Sequence, residues 1–364
     1  MGNFLVYAED APEGLVAKSL LLMEADSGEV LCEKNADEKL PIASVTKIMT
    51  MLLIVEAIAS GKISPDEMVS VSERAMSMGG STMFLDTRET LSVRDMLKGI
   101  AVASANDGAV AMAEHIAGSE SAFVEMMNNR AKELGMTNTH FVNTNGLDDD
   151  DHYSTARDVA IMSRELVKHE MIFEYTTIWM DSLRDGKFQL ANTNKLIRFY
   201  SGANGLKTGS TSKALCCLSA SAKREGMQLI AVVLGSPTSK DRFAAASGLL
   251  DFGFANYAVE KQASQGDILA QIPVLKGKRS EVGAICESDC SVLIKKGENV
   301  DIEQRLDIPE RIIAPVQKGE VIGRVEFIKD GKVQGSVQLV ADASAEKKKY
   351  KDFLFDAFLK WIFK

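Results

Sequence analysis

The sequence lacks an excess of positive charge, a long apolar run, an even set of cysteines and a histidine cluster. Each absence removes a class of function. A formal net charge of -9 over 364 residues argues against a nucleic-acid partner. No stretch reaches the roughly 18 apolar residues of a membrane-crossing helix, and Phe4 to Ala8 is too short for the apolar core of a signal peptide and has no basic leader. The five cysteines form no disulfide framework: Cys216 and Cys217 are adjacent on a predicted strand and point to opposite faces, Cys286 and Cys290 are close enough in sequence to pair, and Cys32 is left over. The four histidines are scattered and make no H-E-x-x-H pattern, and His152 reads as a turn or core hydrogen-bonding residue. The acidic run Asp148 to Asp151 lacks the glycine and glutamate spacing of a calcium loop and reads as a solvated loop. No metal and no cofactor is expected. What remains, at 46% hydrophobic and 26% charged residues, is ordinary globular material with room for two domains.

Against this background three short motifs stand in order: Ser44-Val45-Thr46-Lys47, Ser104-Ala105-Asn106 and Lys207-Thr208-Gly209. A Ser-x-x-Lys arises by chance about once or twice in a chain of this size, and Ser210 to Lys213 and Ser344 to Lys347 fit it too. Local setting separates the first from these decoys. Ala43 to Ser60 reads as a helix, with Ile48, Met51, Leu52, Val55 and Ile58 on one stripe and Gly61 at its end. Ser44 then lies at a helix N-terminus, where unpaired N–H groups favour a developing oxyanion, and Lys47 follows one turn later on the same face. A lysine accepts a serine proton only if burial or a nearby cation depresses its pKa, and Lys207 is placed to supply that charge. Taken alone, a serine and a lysine at a helix start read first as an ordinary surface feature.

Ser104-Ala105-Asn106 falls at a break between two helical stretches, where a hydroxyl can pass a proton and an amide can orient a peptide; an ordinary helix cap gives the same pattern. Lys207-Thr208-Gly209 opens a stretch followed by two strands, Leu215 to Ala222 and Gln228 to Leu234. Alternation puts Lys207 and Gly209 on one face, with Gly209 leaving room for a substrate chain and Lys207 able to hold a carboxylate, helped by the Thr208 hydroxyl. An exposed lysine before a turn is the plainer alternative.

The hairpin Lys18 to Ala25 and Glu29 to Lys34 is expected to join the later hairpin in one antiparallel sheet, with a mostly helical insert over about 65–176 and a closing helix over Asp241 to Val259. This is an α+β catalytic domain over 1–261. A small β-rich domain follows over 262–342, with a hairpin of Val321 to Ile328 and Val333 to Val340. In 343–364, Tyr350, Phe353, Leu354, Ala357, Phe358, Trp361 and Ile362 share one helical face flanked by Lys347, Lys348, Lys349, Lys351, Lys360 and Lys364. That pattern predicts an amphipathic helix lying in a membrane interface.

The three motifs resemble those of penicillin-binding, serine-acylating DD-peptidases, above all the low-mass D-alanyl-D-alanine carboxypeptidases. Phe141 to Leu147 followed by His152 to Asp158, and the Leu249 to Tyr257 segment, extend the likeness over about 16–258. The resemblance implies a penicillin-binding/β-lactamase-like fold and the following roles: Ser44 as nucleophile, Lys47 as its base, Ser104 as proton relay, Asn106 orienting the acyl peptide, and Lys207 with Thr208 and Gly209 binding the terminal carboxylate. It also implies an oxyanion hole made by the backbone N–H groups of Ser44 and Ser210. The implied partners are a peptidoglycan stem peptide and β-lactams as covalent inhibitors. The implied place is the outer face of the bacterial cytoplasmic membrane, the chain being a mature or trimmed form without its export signal. Two alternatives stand beside this: a β-lactamase, for which Glu125 to Asn129 is the one Glu-x-x-x-Asn between the second and third motifs and sits in a predicted helix, and a non-catalytic peptidoglycan-binding protein.

Overall fold

The computed structural model describes residues 8–298 and 301–352. The chain divides into two compact units, the first ending at Asn256 and the second starting at Tyr257.

The first unit is built on a six-stranded sheet. Its order is Glu9–Asp10, Val30–Lys34, Ser19–Glu24, Met227–Ser236, Leu215–Arg224 and Ala203–Thr211. All neighbours pair antiparallel except Glu9–Asp10, which runs parallel to Val30–Lys34. The N-terminal hairpin joins the later one as expected, with Leu21 opposite Val232. Every residue of the two central strands is buried, because alternate side chains pack against different layers. Leu21, Met23, Ile230 and Val232 face the helical body. On the other face, Gly253 of the helix Ser239–Asn256 lets Leu22 and Leu229 close against its backbone.

The helical body holds Val93–Ala103, Asn106–Ala117, Glu120–Glu133 and Ala156–Val167 around a central helix, Lys47–Ala59. Ser92, Ser119 and Thr155 cap three of them, each side-chain oxygen accepting an N–H from the third residue on. The central helix departs from the amphipathic stripe its sequence suggests: every residue from Lys47 to Val55 is buried. It threads the body and, Lys47 and Thr50 apart, is apolar on every side over that stretch. Its first turn, Ala43–Thr46, is a 3-10 turn rather than α-helix.

The second unit contains a six-stranded sheet ordered Glu303–Asp307, Val321–Lys329, Lys332–Ala341, Glu281–Cys286, Ile268–Leu275 and Ile312–Ile313. The hairpin between the second and third of these turns at Asp330 and Gly331, both at positive φ, the signature of a type I′ turn. Val282, Ala284, Val292, Val325, Phe327 and Leu339 form its core. The sequence placed the domain boundary after 261. The structure moves it to Asn256 because Tyr257–Ala263 pairs with Cys290–Lys295 inside the second unit. Residues 343–347 also belong to this unit rather than to a tail: Ala345 bridges Val316 and Lys347 bridges Gly277. A helical turn begins at Tyr350. The expected amphipathic helix, from Phe353 onward, lies outside the described residues.

All five cysteines are free. Cys286 and Cys290 do not pair: Cys286 lies on a strand opposite Leu339, and Cys290 packs its sulfur where a side chain on Gly335 would stand.

Candidate active site

Three distant segments converge on the 3-10 turn that carries Ser44. Ala43 takes a left-handed φ of +48°, and two glycines press on the turn. A Cβ on Gly146, itself at φ +83°, would stand 1.8 Å from the Ala43 carbonyl oxygen; one on Gly209 would stand 2.7 Å from the Ile42 oxygen and 2.9 Å from the Ser44 nitrogen. No side chain fits at either position. The space read from the sequence as room for a substrate chain at Gly209 is therefore filled, on that side, by the protein's own turn at Ile42 to Ser44.

Lys47 is fully buried. Its Nζ lies 2.9 Å from Ser44 Oγ, 2.6 Å from Asn106 Oδ1 and 2.8 Å from the Asn145 carbonyl oxygen. The latter two groups only accept hydrogen bonds. Burial, and then the charge of Lys207, hold the Lys47 amine well below the usual lysine range, with Asp107 offsetting part of this. A neutral amine has two N–H bonds and one lone pair. Donating the two hydrogens to Asn106 and Asn145 leaves the lone pair directed at the Ser44 hydroxyl, ready to accept its proton.

Asn106 spans two jobs. Its Oδ1 meets Lys47, while its Nδ2 donates to the Gly79 carbonyl at 2.7 Å and its backbone N–H to Ser81. Asp107 beside it accepts the N–H groups of Met83 and Leu85, so one dipeptide fixes the 79–85 segment along the site. Ser104 is buried and ends the helix Val93–Ala103 in a left-handed conformation, φ +64°, which is the predicted break between two helices.

Lys207 is also buried and donates to the Thr208 carbonyl at 2.9 Å. Burial first, and then the Arg242 guanidinium, lower its pKa to about 7. Arg242 in turn donates to the carbonyls of Gly209 (3.1 Å) and Cys217 (3.3 Å), pinning the motif strand. Thr208 donates its hydroxyl to Thr193 at 2.7 Å, and Ser210 is exposed one residue beyond Gly209.

The loop that carries Asn145 is held by Asn143, whose Oδ1 accepts from Asn145 and Gly146. His152 sits against the turn that carries Ser44. Its Nδ1 accepts the Val142 N–H at 3.1 Å, so Nε2 carries the proton and donates to Thr46 Oγ1 at 2.8 Å. Burial pushes its pKa down to about 4. It is the core hydrogen-bonding histidine the sequence suggested.

Two serine-lysine decoys lack this setting. Lys213 is exposed and pairs with Asp150, and Lys347 is exposed on the second unit. The acidic loop is tied down by these contacts, with Asp148 accepting from Thr211 at 2.6 Å. Glu125 and Asn129, the pair a glutamate-dependent β-lactamase would need, are exposed on the helix Glu120–Glu133.

Residues 6–238 match the family described as D-alanyl-D-alanine carboxypeptidase, and residues 257–347 match the penicillin-binding protein 5 C-terminal domain. The chain belongs to the D-alanyl-D-alanine carboxypeptidase family. It is 46% identical over 342 residues to D-alanyl-D-alanine carboxypeptidase DacF of Bacillus subtilis, covering 93% of this chain and 88% of that one. Among solved structures, a peptidoglycan synthesis regulatory factor (PBP3) from Streptococcus pneumoniae superposes with a TM-score of 0.80 at 29% identity, covering 91% of this chain and 100% of that one. Penicillin-binding protein D2 from Listeria monocytogenes, solved in an ampicillin-bound form, gives a TM-score of 0.62 at 33% identity over 67% of this chain and 99% of that one. The family's serine-peptidase chemistry fits a site in which the buried Lys47 amine stands 2.9 Å from the Ser44 hydroxyl.

Proposed function

We propose that this chain removes the terminal D-alanine from peptidoglycan stem peptides through an acyl-enzyme on Ser44. Lys47 takes the Ser44 proton as Oγ bonds to the carbonyl carbon between the two D-alanines. The tetrahedral oxyanion is held by the backbone N–H groups of Ser44 and Ser210. The carbon–nitrogen bond then breaks, with the proton passing through Ser104 to the leaving amine. Asn106 orients the acyl peptide, and Lys207 with Thr208 binds the carboxylate. Water attacks the ester, returning the proton to Ser44. A β-lactam, which presents a strained amide and a carboxylate, acylates the same oxygen.

The observation that carries this reading is the Lys47 amine, buried and 2.9 Å from Ser44 Oγ, with two obligate acceptors consuming its hydrogens. The exposed Glu125 speaks against a lactamase of the glutamate-activated kind, and the assembled base speaks against a purely binding role. The site works outside the cytoplasm, and the cationic apolar pattern after Lys347 supports attachment to the membrane surface. The test is D-alanine release from a pentapeptide ending in D-Ala-D-Ala. The parent is expected to release it and Ser44→Ala is not; equal release by both would overturn the mechanism.

A further inference from the structure

Between the second and third motifs runs Asn192-Thr193-Asn194, a tripeptide whose outer residues are buried and whose middle residue is exposed. The two asparagines are used up by the fold. Asn192 Nδ2 donates to the carbonyls of Thr176 (3.1 Å) and Ile178 (2.8 Å), and its Oδ1 accepts the Asn194 N–H. Asn194 Nδ2 donates to the Gly205 carbonyl at 2.8 Å, on the strand that carries Lys207, and its Oδ1 accepts the Leu196 N–H. The Thr193 N–H donates to the Val102 carbonyl, two residues before Ser104. Thr193 is thus bolted to the strand of one motif and to the helix that ends in another, with its side chain left in the open.

That side chain makes one hydrogen bond among the described residues. The Thr208 hydroxyl donates to Thr193 Oγ1 at 2.7 Å, so the Thr193 oxygen acts as acceptor and its own proton is directed elsewhere. A carboxylate is a stronger acceptor than a neutral hydroxyl, and hydrogen bonds to it are about twice as strong. When one arrives, both hydroxyls have reason to turn to it. Lys207 cannot do this work alone at all pH values, since burial and the Arg242 guanidinium lower its pKa to about 7 and its charge is lost as pH rises through that value.

We propose that Thr193 is a substrate-binding residue, its hydroxyl forming with that of Thr208 a paired donor for the terminal carboxylate of the substrate. The proposal rests on the reading that Lys207 and Thr208 bind that carboxylate. The carboxylate leaves with the released D-alanine, so Thr193 acts on acylation and not on hydrolysis of the acyl-enzyme.

The test compares acylation of the full chain by a peptide ending in D-Ala-D-Ala with acylation by the same peptide as its C-terminal amide, which lacks the charge. Thr193→Val is expected to lower the free-acid to amide rate ratio about tenfold, the usual size of a lost hydrogen bond to a charged group. Thr193→Ser is expected to restore the ratio, and deacylation is expected to be the same in all three. A purely structural Thr193 would lower both substrates equally or, by releasing the Thr208 hydroxyl, raise the free-acid rate; either result overturns the proposal. Thr208→Val separates the two readings. If it lowers the ratio and Thr193→Val does not, only the place of Thr193 falls. If neither lowers it, the assignment of the carboxylate to this strand falls as well.

Discussion

The two units bury different things. Around the site the first unit buries Lys47, Lys207, Asn106, Asp107, Asn145 and Arg242, while among the described residues of the second unit the only buried polar or charged side chain is Glu326, which Arg305 and Arg324 neutralise from outside. Burying a charge is costly unless the group is paired or gives up the charge. The first unit accepts that cost where it changes a pKa, at Lys47 and Lys207; the described residues of the second, around a Val, Leu and Phe core, bury no lysine.

Experiments can break this contrast, and the largest effect is expected at the buried base. Lys47→Met is expected to lower acylation by about three orders of magnitude, the size of a lost general base. Because it removes a costly buried amine but leaves Asn106 Oδ1 and the Asn145 carbonyl without that donor, it should lower the melting temperature of the first unit only modestly. A large loss of stability would show that the lysine is structural. Phe327→Ala is the converse. It removes a fully buried ring from the second unit and should cost that unit about 3–5 kcal/mol, read by chemical denaturation, while penicillin acylation at a temperature where both units are folded stays at the parental rate.

Acid sharpens the comparison further. All four histidines lie in the first unit. The unfolded chain protonates His152 below about pH 6.5, whereas the folded protein refuses that proton down to about 4, so this contribution to stability is lost as pH falls through that window, by about 3 kcal/mol at its lower end. His152→Gln is expected to flatten the dependence, followed by the melting temperature of the first unit from pH 7 to 4. The smallest effect belongs to Lys207. With its pKa near 7, kcat/KM for a free-carboxylate peptide should drop about fivefold between pH 7 and pH 8 as the free enzyme loses that charge. A flat profile would mean that Lys207 does not bind the carboxylate as a cation.

The sequence pointed to the candidate site residues through short spacings that chemistry constrains, such as serine and lysine one helical turn apart. It reached the sheet and the helical insert through alternation and periodicity. It did not reach the Asn145 carbonyl, because a backbone oxygen leaves no residue signature, nor the role of Asp107, which reads as a helix cap. Gly146 and Gly209 are glycines for the same reason, the proximity of the Ile42 to Ser44 backbone, which only the folded chain reveals. The domain boundary slipped because Tyr257–Ala263 continues directly from a helix, and its strand partner, Cys290–Lys295, is distant in sequence.

We propose that a single buried lysine activates a single serine. Intact-mass analysis with peptide mapping after brief exposure to penicillin tests it most directly. One covalent adduct located on Ser44, formed slowly or not at all in Lys47→Met, is the expected result. An adduct on another residue, or undiminished labelling of Lys47→Met, would contradict the account.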